Sequence, residues 1–313
     1  MSAPVSSDLR GTSFPDGLSA LVTRYEGFLL DQWGVLHDGA SPYPHALDCL
    51  ERLRAAGKAV VILSNSGRRG SENEAVLAGM GFGRHLYDHI VSAGDDARDA
   101  LMLRDEPAYR ELGRRCILLC RPGEEHVAEG LGLERAGDPL AADFVLNLTM
   151  DSETQSVAGW MPLLERCAAR RLPMVCGNPD RYRVHPDGRL HEAPGLIALA
   201  YERLGATVHY HGKPHPRIYR TCLALLGLEP RQILAVGDSL EHDVAGAAGA
   251  GIDAAFVAGG IHKGEIGWNG EGRAEISACL HLFARERAQP RYSLSWFEWD
   301  GSPAGATRVS ATT

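Results

Sequence analysis

The hydrophobic residues of the chain fall into short, separate runs, and several runs stop abruptly at a polar residue. Three of them end in a carboxylate or a hydroxyl: 28–30 before Asp31, 60–63 before Ser64, and 233–236 before Gly237 and Asp238. Short apolar runs bounded by glycine or polar residues are typical of strands that are buried on both faces of a parallel sheet. The pattern therefore predicts parallel strands that carry polar residues at their carboxyl ends.

Segments with helical spacing alternate with these runs. Predicted helices cover 17–25, 46–56, 72–79, 95–103, 154–170, 216–226 and 243–251, and Pro162 either interrupts or starts one of them. Predicted strands cover 58–64, 90–92, 116–120, 144–148, 173–176, 208–214 and 254–257. Strands that alternate with helices predict an α/β fold with a doubly wound, Rossmann-like parallel sheet.

The chemistry-bearing strand ends lie in the outer parts of the chain, whereas the middle keeps the alternation without them. We therefore predict a core domain of 17–97 plus 206–288 and an inserted α/β cap over 98–205, which includes a long polar loop over 177–189. Residues 1–16 are expected to form a flexible arm. Residues 289–313 are expected to form a tail, with Trp296 and Trp299 packed down and 302–313 disordered.

Composition narrows the possible partners. The formal net charge of -8 argues against nucleic acid as the main partner. The seven cysteines form no CxxC pair and lie mostly in apolar runs, which predicts reduced core thiols and a cytoplasmic protein. No signal peptide or membrane-spanning run is visible, so no membrane partner is expected. The oligomeric state stays open, and a homo-oligomer is one possibility.

In a parallel sheet with right-handed crossovers, the carboxyl ends of the strands meet at one edge. That edge would collect Asp31, Ser64, Lys213, Asp238 and Asp243. Carboxylates at close range repel each other unless a cation lies between them, and a few hard oxygen ligands suit Mg²⁺. A hydroxyl and an ammonium beside that metal suit a phosphoryl group. Each residue taken singly is more commonly a cap, a turn or a surface residue; the set outweighs that interpretation.

Four segments carry a family resemblance: Asp31-Gln32-Trp33-Gly34-Val35-Leu36, Leu63-Ser64-Asn65-Ser66, Gly212-Lys213-Pro214, and Gly237-Asp238-Ser239-Leu240-Glu241-His242-Asp243. In this order they resemble the motifs of the haloacid dehalogenase superfamily of aspartate-nucleophile hydrolases. Asn178-Pro179-Asp180 and Ala193-Pro194-Gly195-Leu196 resemble the subclass IIA, NagD-like members, which have a large inserted cap. The resemblance covers about residues 25–265.

The resemblance implies a role for each matching residue. Asp31 would attack phosphorus and form an aspartyl-phosphate. Ser64 would bind a phosphoryl oxygen with its neighbours Asn65 and Ser66, and Lys213 would hold both Asp31 and the phosphoryl group. The implied Mg²⁺ ligands are Asp31, Asp238, Asp243 and the main-chain carbonyl of Trp33.

In the cap loop, Arg183 and His185, with Asn178 before them, are candidates for contact with the rest of the substrate, a small phosphorylated metabolite. A solvated loop is the alternative there. His209, His211 and His215 are either a metal site or ordinary polar residues.

One position departs from the family pattern. The related phosphatases usually carry a second aspartate two residues after the nucleophile, which protonates the leaving oxygen and later activates water, and here that residue is Trp33. An indole cannot transfer protons at neutral pH. Loss of a general acid or base lowers the rate by about 10²–10⁴-fold. His37 or Asp38 could substitute, but Asp38-Gly39 also reads as a simple turn.

The sequence therefore predicts a Mg²⁺-dependent phosphatase acting through Asp31, slow on simple sugar phosphates and faster on activated phosphates. A non-catalytic protein that binds phosphorylated metabolites is the main alternative. A dehalogenase-type hydrolase is a third, disfavoured by the carboxylates Asp238 and Asp243.

Overall fold

A computed structural model describes residues 11–300. Its strands are β1 Gly27–Leu30, β2 Ala59–Ser64, β3 His89–Ser92, β4 Arg115–Leu119, β5 Glu134–Arg135, β6 Phe144–Asn147, β7 Met174–Cys176, β8 Tyr182–Val184, β9 Leu190–Glu192, β10 Val208–Tyr210, β11 Ile233–Gly237, β12 Asp253–Val257 and β13 Tyr292–Leu294. Its α-helices are α1 Ala46–Ala55, α2 Gly70–Gly79, α3 Ala93–Leu103, α4 Pro107–Arg110, α5 Val157–Ala169, α6 Pro194–Arg203, α7 Pro216–Leu226, α8 Ala245–Gly249 and α9 Ile276–Glu286.

The first sheet has six parallel strands in the order β13-β12-β11-β1-β2-β3. Strand β1 lies in the middle because its four residues are all buried and can pack on both faces. Phe28 and Leu30 join one apolar cluster and Leu29 joins the cluster on the other face. The predicted doubly wound parallel sheet is confirmed.

A second sheet of five parallel strands, in the order β10-β7-β6-β4-β5, is inserted after α3. It has an apolar cluster on each face, one of which packs α5 and α6. Helix α5 is continuous across Pro162, so the proline neither starts nor ends it. The cap expected from the sequence is therefore an α/β layer of its own, while its exact boundaries stay a prediction.

The assignment of the strand at 208–214 to the first sheet was wrong. Strand β10 pairs with β7 in the second sheet, with Val208 beside Met174 and Tyr210 beside Cys176. Its three residues are only partly buried, and a three-residue strand carries no sequence signal that names its neighbour. Lys213 consequently lies on the connection that leads from the second sheet back to α7.

The polar stretch 177–189 is likewise not all loop. Strands β8 and β9 form an antiparallel hairpin that begins inside it, closed by a turn in which Gly188 has a positive φ of 79°. The hairpin was missed because its residues are polar or half-exposed and show no alternation of apolar side chains. Two 3₁₀ turns, Leu18–Ala20 and Val22–Arg24, replace the helix predicted over 17–25.

Residues near both limits of the described range reach the first sheet. Strand β13 extends it past residue 288, and Ser13 pairs with Tyr292 at its edge. Trp296 packs beside the rings of Tyr43 and Trp268, as expected for the start of the tail. The predictions for 1–10 and 302–313 concern residues outside the described range. Between residues 11 and 300, no helix combines the length and apolarity that crossing a membrane requires.

Candidate active site

A cavity of about 740 Å³ lies at the carboxyl edge of the six-stranded sheet and extends to the inserted domain. The side chains of Asp31, Ser64, Lys213 and Asp238 all line it. Three of them come from neighbouring strands β1, β2 and β11, and Lys213 comes from the connection after β10. The structure thus brings together the four strand-end residues that the sequence singled out.

Asp31 is fixed at the end of the central strand. Its backbone N–H donates to Val236 O at 2.9 Å, which continues the β1–β11 ladder by one residue. Its Oδ1 accepts hydrogen bonds from Gln32 N at 2.8 Å and from Lys213 Nζ at 2.6 Å. In the described part of the chain, no further donor reaches the carboxylate, so Oδ2 is left for another partner.

Asp238 and Asp243 bring two more carboxylates to the same point. Ligand oxygens of Asp31, Asp238 and Asp243 all lie within 4.8 Å of one another. Asp243 is carried by a π-helical turn over Leu240–Val244, where Ser239 N donates to its Oδ2 at 3.0 Å. Gly34 is required here because a Cβ at that position would overlap the Asp238 carboxylate.

Lys213 is the only cation bonded to this cluster among residues 11–300, and it donates to Asp31 Oδ1 at 2.6 Å and to Asp243 Oδ1 at 2.8 Å. Burial opposes its charge, but Asp243 and Asp31 outweigh burial and raise the pKa of Lys213. Burial raises the pKa of Asp31, Asp243 adds to the rise, and Lys213 counteracts it. Burial and the charge of Asp31 also raise the pKa of Asp238. The cluster therefore holds more negative charge than one lysine can balance.

The cluster fits a divalent cation. Three carboxylates and one ammonium leave a formal charge of two negative units in a buried site, which one divalent ion would neutralise. The donor atoms are all carboxylate oxygens, the ligand type that Mg²⁺ prefers. Burial raises the pKa of Asp31 and of Asp238, and the neighbouring carboxylates add to both rises.

Ser64 is the last residue of β2 and Asn65 follows it, and both are buried. Ser64 Oγ accepts a hydrogen bond from Ser66 N at 3.2 Å, and all three residues line the cavity. The Asn65 amide accepts from Lys213 N at 2.7 Å and donates to Lys213 O at 3.2 Å. Asn65 therefore positions the lysine by hydrogen-bonding both its main-chain N–H and its main-chain carbonyl.

A side chain from the inserted domain completes this network. Asp180 Oδ1 accepts from Asn65 Nδ2 at 2.7 Å and lies 3.0 Å from His242 Nδ1. Burial would lower the pKa of His242, but the hydrogen bond and charge of Asp180 outweigh it, so the pKa is raised. Asn178 Oδ1 accepts from Asp180 N at 3.1 Å and so shapes the loop that carries Asp180.

Trp33 links the two domains. Its indole Nε1 donates to Val184 O on hairpin strand β8 at 2.7 Å, and the guanidinium of Arg183 lies 5.6 Å from the centre of its ring. Gly39, with a φ of 100°, is needed beneath the indole because a Cβ there would overlap the ring. The residue that replaces the usual second aspartate is thus engaged with the wall of the cavity.

Comparisons with known proteins identify the family. Residues 28–134 match the family profile described as haloacid dehalogenase-like hydrolase, and residues 210–273 match a second HAD-hydrolase-like profile. Human chronophin is 30% identical over 284 residues, which span 87% of this chain and 91% of chronophin. The chain belongs to the haloacid dehalogenase-like hydrolases. The resemblance seen in the four motifs, and the large inserted cap of subclass IIA, are confirmed.

Two further relatives agree with this assignment. The sugar-phosphatase AraL of Bacillus subtilis is 26% identical over 76% of the hydrolase and 84% of AraL. A crystal structure of a haloacid dehalogenase-like hydrolase from Brucella suis superposes with a TM-score of 0.75 at 29% identity, over 90% of this hydrolase and 99% of that chain.

His37 and Asp38, the candidates to replace the missing aspartate, are both committed to local structure in this hydrolase. His37 is fully buried, accepts from Gly39 N at 2.9 Å through Nδ1, and lies 3.1 Å from the Gln32 amide nitrogen through Nε2. Burial lowers its pKa to about 4, against the opposing charge of Asp38. Asp38 Oδ1 accepts from Ala40 N and Ser41 N, which is a turn. The turn interpretation is confirmed.

Rotating the side-chain amide of Gln32 by about 180° would give it a hydrogen bond from His37. As it stands, its nitrogen faces His37 Nε2, which must carry the ring proton because Nδ1 accepts from Gly39 N. Gln32 Oε1 meanwhile is buried with no hydrogen-bond partner. Exchanging the two amide atoms lets the oxygen accept from His37 Nε2–H. His37 is then a neutral imidazole that organises the loop after Asp31.

His209, His211 and His215 belong to no group of possible metal ligands in the described part of the chain. His211 Nδ1 lies 2.8 Å from Asp96 Oδ2, and its Nε2 bonds the hydroxyl of Tyr109. His215 stacks instead on Tyr210. Arg183 and His185 do line the cavity.

Sequence reasoning missed Asp180 and His242 as site residues. Asp180 was visible only as the third residue of Asn178-Pro179-Asp180, and nothing in the sequence showed that this loop meets His242.

Proposed function

We propose that this hydrolase is a Mg²⁺-dependent phosphatase that forms an aspartyl-phosphate on Asp31. The observation that carries the proposal is the carboxylate cluster with Lys213 bound into it, inside a cavity of about 740 Å³. That volume suits a small phosphorylated metabolite. The name of the relative AraL, a sugar-phosphatase, supports the reaction class.

In the first step a carboxylate oxygen of Asp31 bonds to phosphorus, and the bond from phosphorus to the leaving oxygen breaks, with its electron pair staying on that oxygen. In the second step water bonds to phosphorus and the aspartyl oxygen leaves, which restores Asp31 and releases phosphate. Lys213 holds Asp31 Oδ1 in place at 2.6 Å through both steps. Ser64 and Ser66 are proposed to bind the phosphoryl oxygens.

The metal is assigned to Asp31, Asp238, Asp243 and the carbonyl of Trp33. When bound, Mg²⁺ supplies positive charge to the phosphoryl oxygens. The three carboxylates fit it by charge, donor type and spacing.

Trp33, His37 and Asp38 are unsuited to the two proton transfers. Trp33 gives its one N–H to Val184 O, His37 is buried and neutral, and Asp38 is held in a turn. The leaving oxygen must then depart without a proton from these residues. We therefore propose that acyl phosphates, phosphoanhydrides and aryl phosphates turn over faster than alkyl esters such as hexose phosphates.

The cap is proposed to bind the part of the substrate beyond the phosphoryl group. Arg183 is the strongest candidate because it lines the cavity and its Nε is buried without a hydrogen-bond partner. Asn178 also lines the cavity, and its amide oxygen shapes the loop of Asp180 by accepting from Asp180 N. His185 lines the cavity, and its contact with substrate remains a prediction.

A second candidate function is favoured by Trp33 alone. A protein with the family's binding groups but no acid/base would hold a phosphorylated metabolite without hydrolysing it. The dehalogenase alternative has less support, because the buried carboxylates Asp238 and Asp243 would share the single cation Lys213 with Asp31.

The test is a screen of phosphate compounds with Mg²⁺, run on wild type and on Asp31→Asn. We expect acetyl phosphate and p-nitrophenyl phosphate to be hydrolysed by wild type and not by Asp31→Asn, with hexose phosphates slower by tenfold or more. Hexose phosphates turning over faster would contradict the role given to Trp33. Binding without turnover in wild type would support the non-catalytic alternative.

A further inference from the structure

A second cluster of metal-ligating side chains lies on the cap hairpin and shares no residue with the carboxylate cluster. It consists of His185, Asp187 and His191. Arg183 pairs with His191 across the hairpin, and His185 lies two residues beyond Arg183, so both histidines project from the same hairpin face. Asp187 lies between the two histidines in the sequence, in the turn beside Gly188.

The spacing of the three side chains is close to that of a bound transition metal. Asp187 Oδ1 lies 3.2 Å from His185 Nδ1, and Asp187 Oδ2 lies 3.7 Å from His191 Nε2. One ligand atom from each residue can be chosen so that all lie within 4.8 Å of one another. Around a tetrahedral zinc ion, neighbouring ligand atoms are about 3.3 Å apart. Small side-chain rotations would close the remaining gap.

One ligand atom has no other partner. His185 Nδ1 is buried and makes no hydrogen bond, although Asp187 is near. A buried ring nitrogen without a partner is unfavourable in a folded protein. A cation bound in the plane of the ring would give that nitrogen a partner. The two imidazoles stack nearly parallel, with centres 4.1 Å apart, so the rings must tilt for His185 Nδ1 and His191 Nε2 to bind one ion.

The outward nitrogens of both rings face polar atoms. His191 Nδ1 lies 3.3 Å from Ser152 Oγ, and His185 Nε2 lies 3.7 Å from Glu153 Oε1. Histidines that bind metals usually have such a partner on the second nitrogen, which fixes the tautomer and the ring orientation. The segment Ser152–Glu153 thus supplies the outer contacts, and the hairpin supplies the ligands.

We propose that His185, Asp187 and His191 form a binding site for one transition-metal ion of the Zn²⁺ type. Two imidazoles and one carboxylate are the ligands that such an ion prefers, whereas the all-oxygen cluster at Asp31 suits Mg²⁺. The bound ion would fix the hairpin that carries Arg183 and Val184 over Trp33. The proposal does not depend on the proposed phosphatase activity.

The test measures Zn²⁺ bound to the purified full-length protein by equilibrium dialysis in the presence of excess Mg²⁺. We expect one equivalent in wild type, and loss of that equivalent in His185→Ala and in His191→Ala. Ser152→Ala should weaken binding by about 10–100-fold, because it removes only an outer contact. Thermal unfolding without Zn²⁺ should be the same in all these proteins, since the side chains are partly exposed.

Two control variants locate the ion. His126→Ala removes an exposed cap histidine that pairs with Glu72, and it should keep the full equivalent. Asp238→Asn alters the carboxylate cluster and should also keep it. Wild type that binds no more Zn²⁺ than a His185→Ala/His191→Ala double variant would overturn the proposal. Loss of the ion in Asp238→Asn, with retention in His185→Ala, would overturn it equally.

Discussion

Trp33 shows how one side chain can exchange a chemical role for a structural one. The indole occupies the position where the related phosphatases usually have their acid/base aspartate, and it ties the loop after β1 to Val184 on the hairpin instead. Arg183 and Gly39 lie against its ring, and its one N–H is already bonded to Val184 O. The reaction must then depend on the leaving group more than it would with an aspartate in place.

Trp33→Asp is predicted to restore the missing proton transfer. Turnover of hexose phosphates relative to p-nitrophenyl phosphate should rise by about 10²-fold or more, since a general acid helps the poorer leaving group most. The measurement is the ratio of kcat values for the two substrates. Trp33→Asn is the matched control, because it loses the same indole contacts without gaining an acid. An equal ratio in both variants would contradict the explanation.

His37 is predicted to make stability depend on pH. Its folded pKa of about 4 lies below the ordinary value, so the unfolded chain takes up the proton first as pH falls. Its contribution is complete above about pH 6.5 and is lost as pH falls toward 4, by up to about 3 kcal/mol. His37→Asn keeps an acceptor for Gly39 N and does not titrate. Urea midpoints should fall less steeply with acid in His37→Asn than in wild type; parallel curves would refute this.

At the scale of elements, short connections hold the two domains together at the site. The loop before β8 places Asp180 against Asn65 and His242, whereas the next residue, Arg181, makes an exposed ion pair with Glu241. The first contact is tied into the network around Lys213, and the second is open to solvent.

Substituting Asp180 and Arg181 one at a time should distinguish the effects of the two contacts on catalysis. Asp180→Ala is predicted to lower kcat/KM by at least tenfold, because Asn65 loses a partner while holding Lys213. Arg181→Ala should stay within a factor of about three, since exposed ion pairs contribute less than about 1 kcal/mol. Steady-state kinetics on p-nitrophenyl phosphate measures both. Equal losses would show that the ion pair at Arg181 matters as much as the buried contact.

The elements also show where sequence is informative. Strands β1, β2 and β11 were predictable because they are buried on both faces and end in the residues that form the site. Strand β10 was assigned to the wrong sheet because three half-buried residues do not specify a partner. The contact between Asp180 and His242 could not be predicted for a different reason. The two residues are distant in sequence, and their contact depends on how the inserted domain packs on the first sheet.

At the scale of the whole molecule, the cavity lies where the carboxyl edge of the six-stranded sheet meets the inserted domain, and the carboxylate cluster lies at that edge. Three carboxylates with one lysine leave that edge short of positive charge. A cation that binds there should stabilise the folded chain, because an ion that binds only the folded state shifts the folding equilibrium.

Mg²⁺ is therefore predicted to raise the melting temperature. At a Mg²⁺ concentration of about one hundred times the Kd, binding should add about 2.7 kcal/mol to the free energy of unfolding of the domain that holds the carboxylate cluster. Asp238→Asn should abolish the rise measured by thermal denaturation. Asp38→Asn removes a carboxylate held in a turn away from the cluster and should keep it. A rise that survives in Asp238→Asn would place the metal elsewhere.

The most direct test of the central claim is a search for phosphate bonded to Asp31. Acetyl phosphate and Mg²⁺ should produce an aspartyl-phosphate that accumulates, because Trp33 cannot activate water for its hydrolysis as an aspartate at that position would. Acid quenching within the first turnover, followed by peptide mass spectrometry, should find close to one phosphoryl group per chain, on the peptide that contains Asp31. Asp31→Asn should show none. Turnover without phosphate on Asp31, or equal turnover in Asp31→Asn, would contradict the account.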